Sequence, residues 1–202
     1  YCTTGANNVI IGHIAGDAVT TGHTSVIIGQ SAGTAMTTAS ENVLIGNNVA
    51  ALLTTGSQNI IIGDNAAAGA VVTGAGNTMV GDNCGYNQTS AAANAYFGAA
   101  AGHNTTSGGG NTCIGHSAGY GITTGVNNTF VGYQAGDANT TANGNVAVGH
   151  AALGANTTGS TNTAIGIVAG DALTTGNSNT CIGYESASGL TTGTQNWAGG
   201  VQ

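Results

Sequence analysis

Asn162-Thr163-Ala164-Ile165-Gly166 decides the fold, because the same pentapeptide frame recurs from one end of the chain to the other. Its closing glycine, taken as position 0, has counterparts at Gly12, Gly29, Gly46, Gly63, Gly81, Gly98, Gly115, Gly132, Gly149, Gly183 and Gly200. The steps between them are 17 residues, except for one of 18 between Gly63 and Gly81. A fixed short period of this kind is the signature of a solenoid, in which each repeat forms one rung and buries its apolar face only by stacking on its neighbours. The expectation is an all-β chain: a parallel β-solenoid of about twelve rungs. Residues 1–202 read as one repeat domain. They carry no atypical capping repeats, so the same reading expects an uncapped segment of a longer array.

Position −4 is Asn in every rung but one: Asn8, Asn42, Asn59, Asn77, Asn94, Asn111, Asn128, Asn145, Asn162, Asn179 and Asn196, with Ser25 the exception. Rungs stacked about 4.8 Å apart would bring these amides into a hydrogen-bonded ladder. The other role open to such a residue is that of an ordinary turn asparagine with left-handed backbone. Both roles are structural.

Positions −3 to −1 are the strand. Position −1 is a nearly uniform Ile/Val column, and position −3 is Val, Ile, Thr or Ala apart from Trp197. Position −2 points to the opposite face and is apolar every time, including Ile10, Ile27, Leu44, Ile61, Met79, Tyr96 and Phe130. A rung has one interior, so a strand apolar on both faces calls for a second buried surface about 50 Å long. The uniform Ile/Val column is assigned to the interior and the variable −2 column to an interface with another copy. The reverse assignment leaves the need for a second surface unchanged. A column of small residues at +3, an aliphatic at +7 in several rungs and a closing Thr-Thr-Gly complete the repeat. The extra residue near Ala68-Gly69 is placed in the outer arc.

Composition excludes several functions. There is no Lys or Arg, and the net charge is −7. Phosphate neutralisation, Schiff-base chemistry and docking on anionic membranes all lack their cations. No apolar run is long enough to span a membrane. At 41% hydrophobic and 3% charged residues the chain is also unlike a disordered one. Ordered, uncharged and rich in Gly, Thr, Asn and Ala is the profile of a repetitive extracellular fibre.

The segments Asn-Thr-Ala-Ile-Gly at 162–166, Asn-Val-Ala-Val-Gly at 145–149 and Asn-Thr-Cys-Ile-Gly at 179–183 resemble head repeats of trimeric autotransporter adhesins and similar repeats of phage tail-fibre-like proteins. The resemblance implies a left-handed parallel β-roll, three chains packed about an axis, and attachment at a cell or virion surface. The rung here is longer by the Thr-Thr-Gly segment, which leaves handedness and chain number open, and no binding residue carries over.

Candidate chemistry is sparse. His13, His116 and His150 share position +1, and His116 and His150 have a whole rung between them; with His23 and His103 they read as exposed polar residues. Asp64 and Asp82, at the same position on consecutive rungs, are candidate calcium ligands, calcium being the only cofactor the residues suggest. Cys113 and Cys181 lie four rungs apart, beyond disulfide reach, and Cys84 reads as a small core residue, while Cys2 is a candidate for an inter-chain bridge. Asn87, Asn104, Asn127, Asn139 and Asn156 begin glycosylation triplets, four of them assigned to the outer arc. The scattered carboxylates Asp17, Glu41, Asp137, Asp171 and Glu185 give no catalytic pair, and no enzyme is expected.

The functional expectation is a self-associating structural segment of an extracellular fibre or adhesin stalk. Its partners are copies of itself, as a trimer or a filament, with surface glycans or a host receptor as further candidates. An ice-binding solenoid using Thr columns is the alternative, and a tail-spike-type polysaccharide-binding or -cleaving protein the third reading.

Overall fold

The computed structural model describes residues 4–200, and they form a parallel β-solenoid. Twelve three-residue strands, from β1 (Val9–Ile11) and β2 (Val26–Ile28) to β12 (Trp197–Gly199), make one sheet in strict chain order. Among the described residues there is no helix. Each strand pairs in parallel with the next at matching positions, as in Val26↔Val43, Ile27↔Leu44 and Ile28↔Ile45. The 18-residue step does not disturb this register, for Ile60 still pairs with Thr78. Its extra residue is taken up where Gly69 and Val71 are exposed, before Val72 returns to the core beside Leu53.

Glycine at position 0 is required by close approach. Gly132 has φ 141°, and a Cβ there would press into the carbonyl of Gly149 one rung on. Each further rung repeats the contact. The corners of the rung use left-handed backbone, at −5 (Asn7, φ 60°; Asn127, φ 58°) and at +2 (Asn48, φ 52°; Asn65, φ 51°); asparagine tolerates that conformation, while Ile14 (φ 50°) and Val168 (φ 49°) hold it at +2 against their own preference.

The asparagine column is buried from Asn42 to Asn179 and hydrogen-bonded from rung to rung. The backbone N–H of Asn128 donates to Asn111 Oδ1 at 3.0 Å, and that of Asn145 donates to Asn128 Oδ1 at 3.0 Å. The Asn128 Nδ2 donates to the Ala142 carbonyl at 2.9 Å and to Asn111 Oδ1 at 3.0 Å. One side chain therefore ties together the strand corner of its own rung and the corners of the rungs on either side. Ser25 supplies part of this: its N–H donates to Asn8 Oδ1 and its Oγ accepts from Asn42 N–H at 3.2 Å. Threonines at the closing corner add a second ladder in most rungs, with Thr123 Oγ1 donating to Thr140 O at 3.1 Å and Thr140 Oγ1 to Thr157 O at 3.0 Å.

The strand faces are the reverse of the sequence assignment. Ile27, Leu44, Ile61, Met79, Tyr96 and Phe130 are fully buried inside the coil, so the interface candidates at −2 are core residues. Ile10, in the first strand, is 37% exposed because it has a rung on one side only. The physical reason is parity: −4, −2 and 0 share a face of the strand, and the asparagine amides at −4 must face inward to reach the next rung. The Ile/Val column at −1 consequently points outward.

The core is thin, filled by −2, by small residues at +3 such as Ala118 and Ala135, and by +7 residues such as Met36, Leu53, Ile122 and Leu173. Size varies along −2 because the opposite wall compensates. Tyr96 and Phe130 lie where Cβ atoms on Gly102 and Gly136 would stand, whereas beside Ala147 and Ala164 the buried Leu153 occupies the glycine's +4 place. Cys84, Cys113 and Cys181 are free and buried in this core. Burial pushes the Cys84 thiol up to about 12. Burial, with Cys84 beside it, raises Cys113 further.

Two outcomes follow. Asn128→Ala leaves the Ala142 carbonyl and the Asn145 N–H buried without partners and should cost roughly 2–5 kcal/mol in denaturant unfolding, while Ser25→Asn, which restores a donor toward the next rung, should gain about 1 kcal/mol. In a Cys2→Ser background, Cys84, Cys113 and Cys181 should be silent to a thiol reagent at pH 8 and react stoichiometrically on unfolding; prompt reaction of the native chain would contradict the packing.

Candidate functional site

With −2 inside, the outward side chains of the sheet are the columns at −3 and −1. They form two parallel files on twelve strands, spaced by the strand separation along the axis and by two residues across it. Val9 (47%), Ile11 (58%), Ile60 (42%), Ile114 (42%), Ile165 (42%) and Ile182 (43%) are exposed in this stripe, and Phe97 and Trp197 join them. No charged residue occupies either file. The first four rungs are apolar at both positions: Val9/Ile11, Val26/Ile28, Val43/Ile45 and Ile60/Ile62. Further along, Thr78, Thr112, Thr129, Thr163 and Thr180 stand at −3 beside Val80, Ile114, Val131, Ile165 and Ile182 at −1. An apolar stripe of this length on a chain of net charge −7 is the candidate site, since contiguous exposed apolar surface marks interaction sites.

The sequence candidates fall elsewhere. Asn139 and Asn156 are fully buried at +7, among the inward aliphatics, and are not on the outer arc. Asn156 Nδ2 donates to Gly159 O at 2.8 Å while Gly159 N–H donates back to Asn156 Oδ1 at 2.9 Å, so neither amide is available to a glycosyltransferase in the folded chain. The +7 column of Val19, Met36, Leu53, Ile122 and Leu173 was the signal that this position faces in. Asn87 and Asn104 are half-buried, with Asn87 Nδ2 donating to Asn104 Oδ1 at 3.0 Å. Asn127 is exposed.

Asp64 and Asp82 are both exposed and already accept amide hydrogen bonds, Asp64 from Asn47 Nδ2 and Asp82 from Asn83 Nδ2, each at 3.0 Å. Among the described residues no three His, Cys, Asp or Glu side chains gather as a metal cluster. His103, His116 and His150 instead enter ring stacks along the axis. Tyr133 lies between His116 and His150 with centroids 5.3 Å away on both sides, and His103 lies between Tyr86 at 5.2 Å and Tyr120 at 4.8 Å. Rings stacked in this way present edges to solvent, and sequence reading did not bring Tyr86 and Tyr120 to His103. Cys2 lies outside the described residues.

Comparison with known family models, curated proteins and solved structures finds no match to this chain.

Proposed function

We propose that this chain is a structural segment of an extracellular fibre or adhesin stalk, and that it self-associates through the outward −3 and −1 files. The observation that carries the reading is the uncharged apolar stripe running the length of the sheet. The ladders of asparagine and threonine stacked rung on rung suit a stiff load-bearing element. The absence of Lys and Arg leaves trypsin-like proteases no cleavage site, which suits the outside of a cell or virion. In build the proposed segment is akin to adhesin head repeats.

One observation favours a second reading, ice binding. The outward Thr-x-Val/Ile files repeat about every 4.8 Å along the axis and about 6.6 Å across it, a regular hydroxyl-and-methyl array of the kind that orders water. The closing Thr-Thr-Gly triplets serve this less well, because the hydroxyl of the first threonine is spent on the next rung's carbonyl.

Analytical ultracentrifugation of the unaltered chain should show assemblies at micromolar concentration, and the triple variant Ile114→Glu/Ile165→Glu/Ile182→Glu should sediment as a monomer with an unchanged far-UV spectrum. A monomeric unaltered chain overturns the fibre reading. Nanolitre osmometry separates the second reading: the fibre predicts coincident freezing and melting points, whereas a gap between them that closes in Thr129→Glu establishes ice binding.

A further inference from the structure

The outward files carry a size pattern that points to a specific partner and orientation. In the rung of Phe97, the bulkiest residue of the −1 file, position −3 holds Ala95. In the rung of Trp197, the bulkiest residue of the −3 file, position −1 holds Gly199, and the indole lies over that glycine, where a Cβ would collide with it. The remaining rungs pair medium with medium: Val with Ile, Ile with Ile, Val with Val, Thr with Ile, or Thr with Val. Bulk at one position is offset by its absence at the other within the same rung.

Resting on the self-association reading above, we propose that the surface covering this face is a second copy of the chain, laid parallel and rung for rung, with a two-fold axis running along the solenoid. Such an axis reverses strand direction but keeps rung order, so the −3 file of each copy faces the −1 file of the other in the same rung. Phe97 then sits over the partner's Ala95, and each Trp197, its indole lying over its own Gly199, meets the partner's Trp197 in the same rung. The interface is isologous and closed, as two-fold interfaces are. A two-fold axis along the strands would instead reverse rung order and oppose −3 to −3. Centred on the sheet, it sets Phe97 against the partner's Ile114 and Trp197 against the partner's Val9, where nothing is small.

Charge and area agree. The net charge of −7 would oppose association of like copies, yet neither file carries a carboxylate, so the acidic residues stay off the contact. Val9, Ile11, Ile60, Phe97, Ile114, Ile165, Ile182 and Trp197 are 40–74% exposed and together leave roughly 800 Å² accessible, about the share each partner contributes to a standard interface.

Double electron–electron resonance tests the arrangement. Thr38→Cys, Thr124→Cys and Thr175→Cys, each in a Cys2→Ser background, place a single nitroxide at an exposed position on three well-separated rungs. The parallel two-fold predicts the same inter-copy distance from all three, with the assembly sedimenting as a dimer. An antiparallel pair gives a short distance near the middle and distances longer by tens of ångströms toward the ends, since Thr38 and Thr175 lie eight rung steps, about 38 Å, apart. That result, or a trimer in sedimentation, overturns the parallel two-fold while leaving self-association standing. A monomer overturns both.

Discussion

The asparagine amide at −4 is the interaction on which the rest of this structure depends. Each one accepts from the backbone of the following rung and donates to a carbonyl at that rung's far corner, as Asn111 does toward Asn128 N–H and Gly125 O. Because the amide must point inward to do this, strand parity sends −2 into the core and −3 and −1 to the surface. The glycine at 0, which shares the inward parity, brings rung backbones too close for any Cβ. The thin interior, the register and the location of the apolar stripe follow from that one inward group. Buried amides are costly when unpaired, so a ladder that satisfies them collectively also penalises any slip of register by a residue.

Much of this was legible without coordinates. The 17-residue period, the three-residue strand ahead of each glycine, the small +3 column and the place of the extra residue all follow from columns read down the repeat, since equivalent positions in a solenoid share an environment. The misreadings came from judging columns singly. Uniform Ile/Val at −1 looks like a core, but β-branched residues also suit the exposed face of a sheet, whereas a core can vary when an opposite wall compensates, as Gly102 does for Tyr96 and Gly136 for Phe130. Counting by twos from the asparagine would have set −2 inside. The triplets at Asn139 and Asn156 misled in the same way: a local motif was weighed above the aliphatic +7 column in which both residues stand. Ring stacks such as Tyr86–His103–Tyr120 depend on side-chain direction at a corner, which strand periodicity does not describe.

The interior and exterior of the strand obey different rules, and that contrast supports the functional reading. Inside, large and small residues are balanced across the coil. Outside, an isolated chain in water would gain nothing from two files of apolar residues free of charge, yet the files run from Val9 to Ile182 and close on Trp197. The hydroxyls of Thr112, Thr129 and Thr163 moderate the stripe without charging it. On the proposed reading, a rod with one such face is a component for building with, its rigidity supplied by the inner ladder and its association by the outer files.

The central claim is that the inward amide ladder holds the rungs together. Hydrogen exchange of the asparagine side-chain NH₂ groups, followed by NMR on the native chain, tests it most directly. The account predicts that the carboxamide protons of Asn59, Asn77, Asn94, Asn111, Asn128 and Asn145 exchange only as the whole solenoid opens, with protection matching the global stability, while exposed Asn47, bonded only to the surface carboxylate of Asp64, exchanges far faster. Ladder carboxamides that exchange as fast as Asn47 would contradict it.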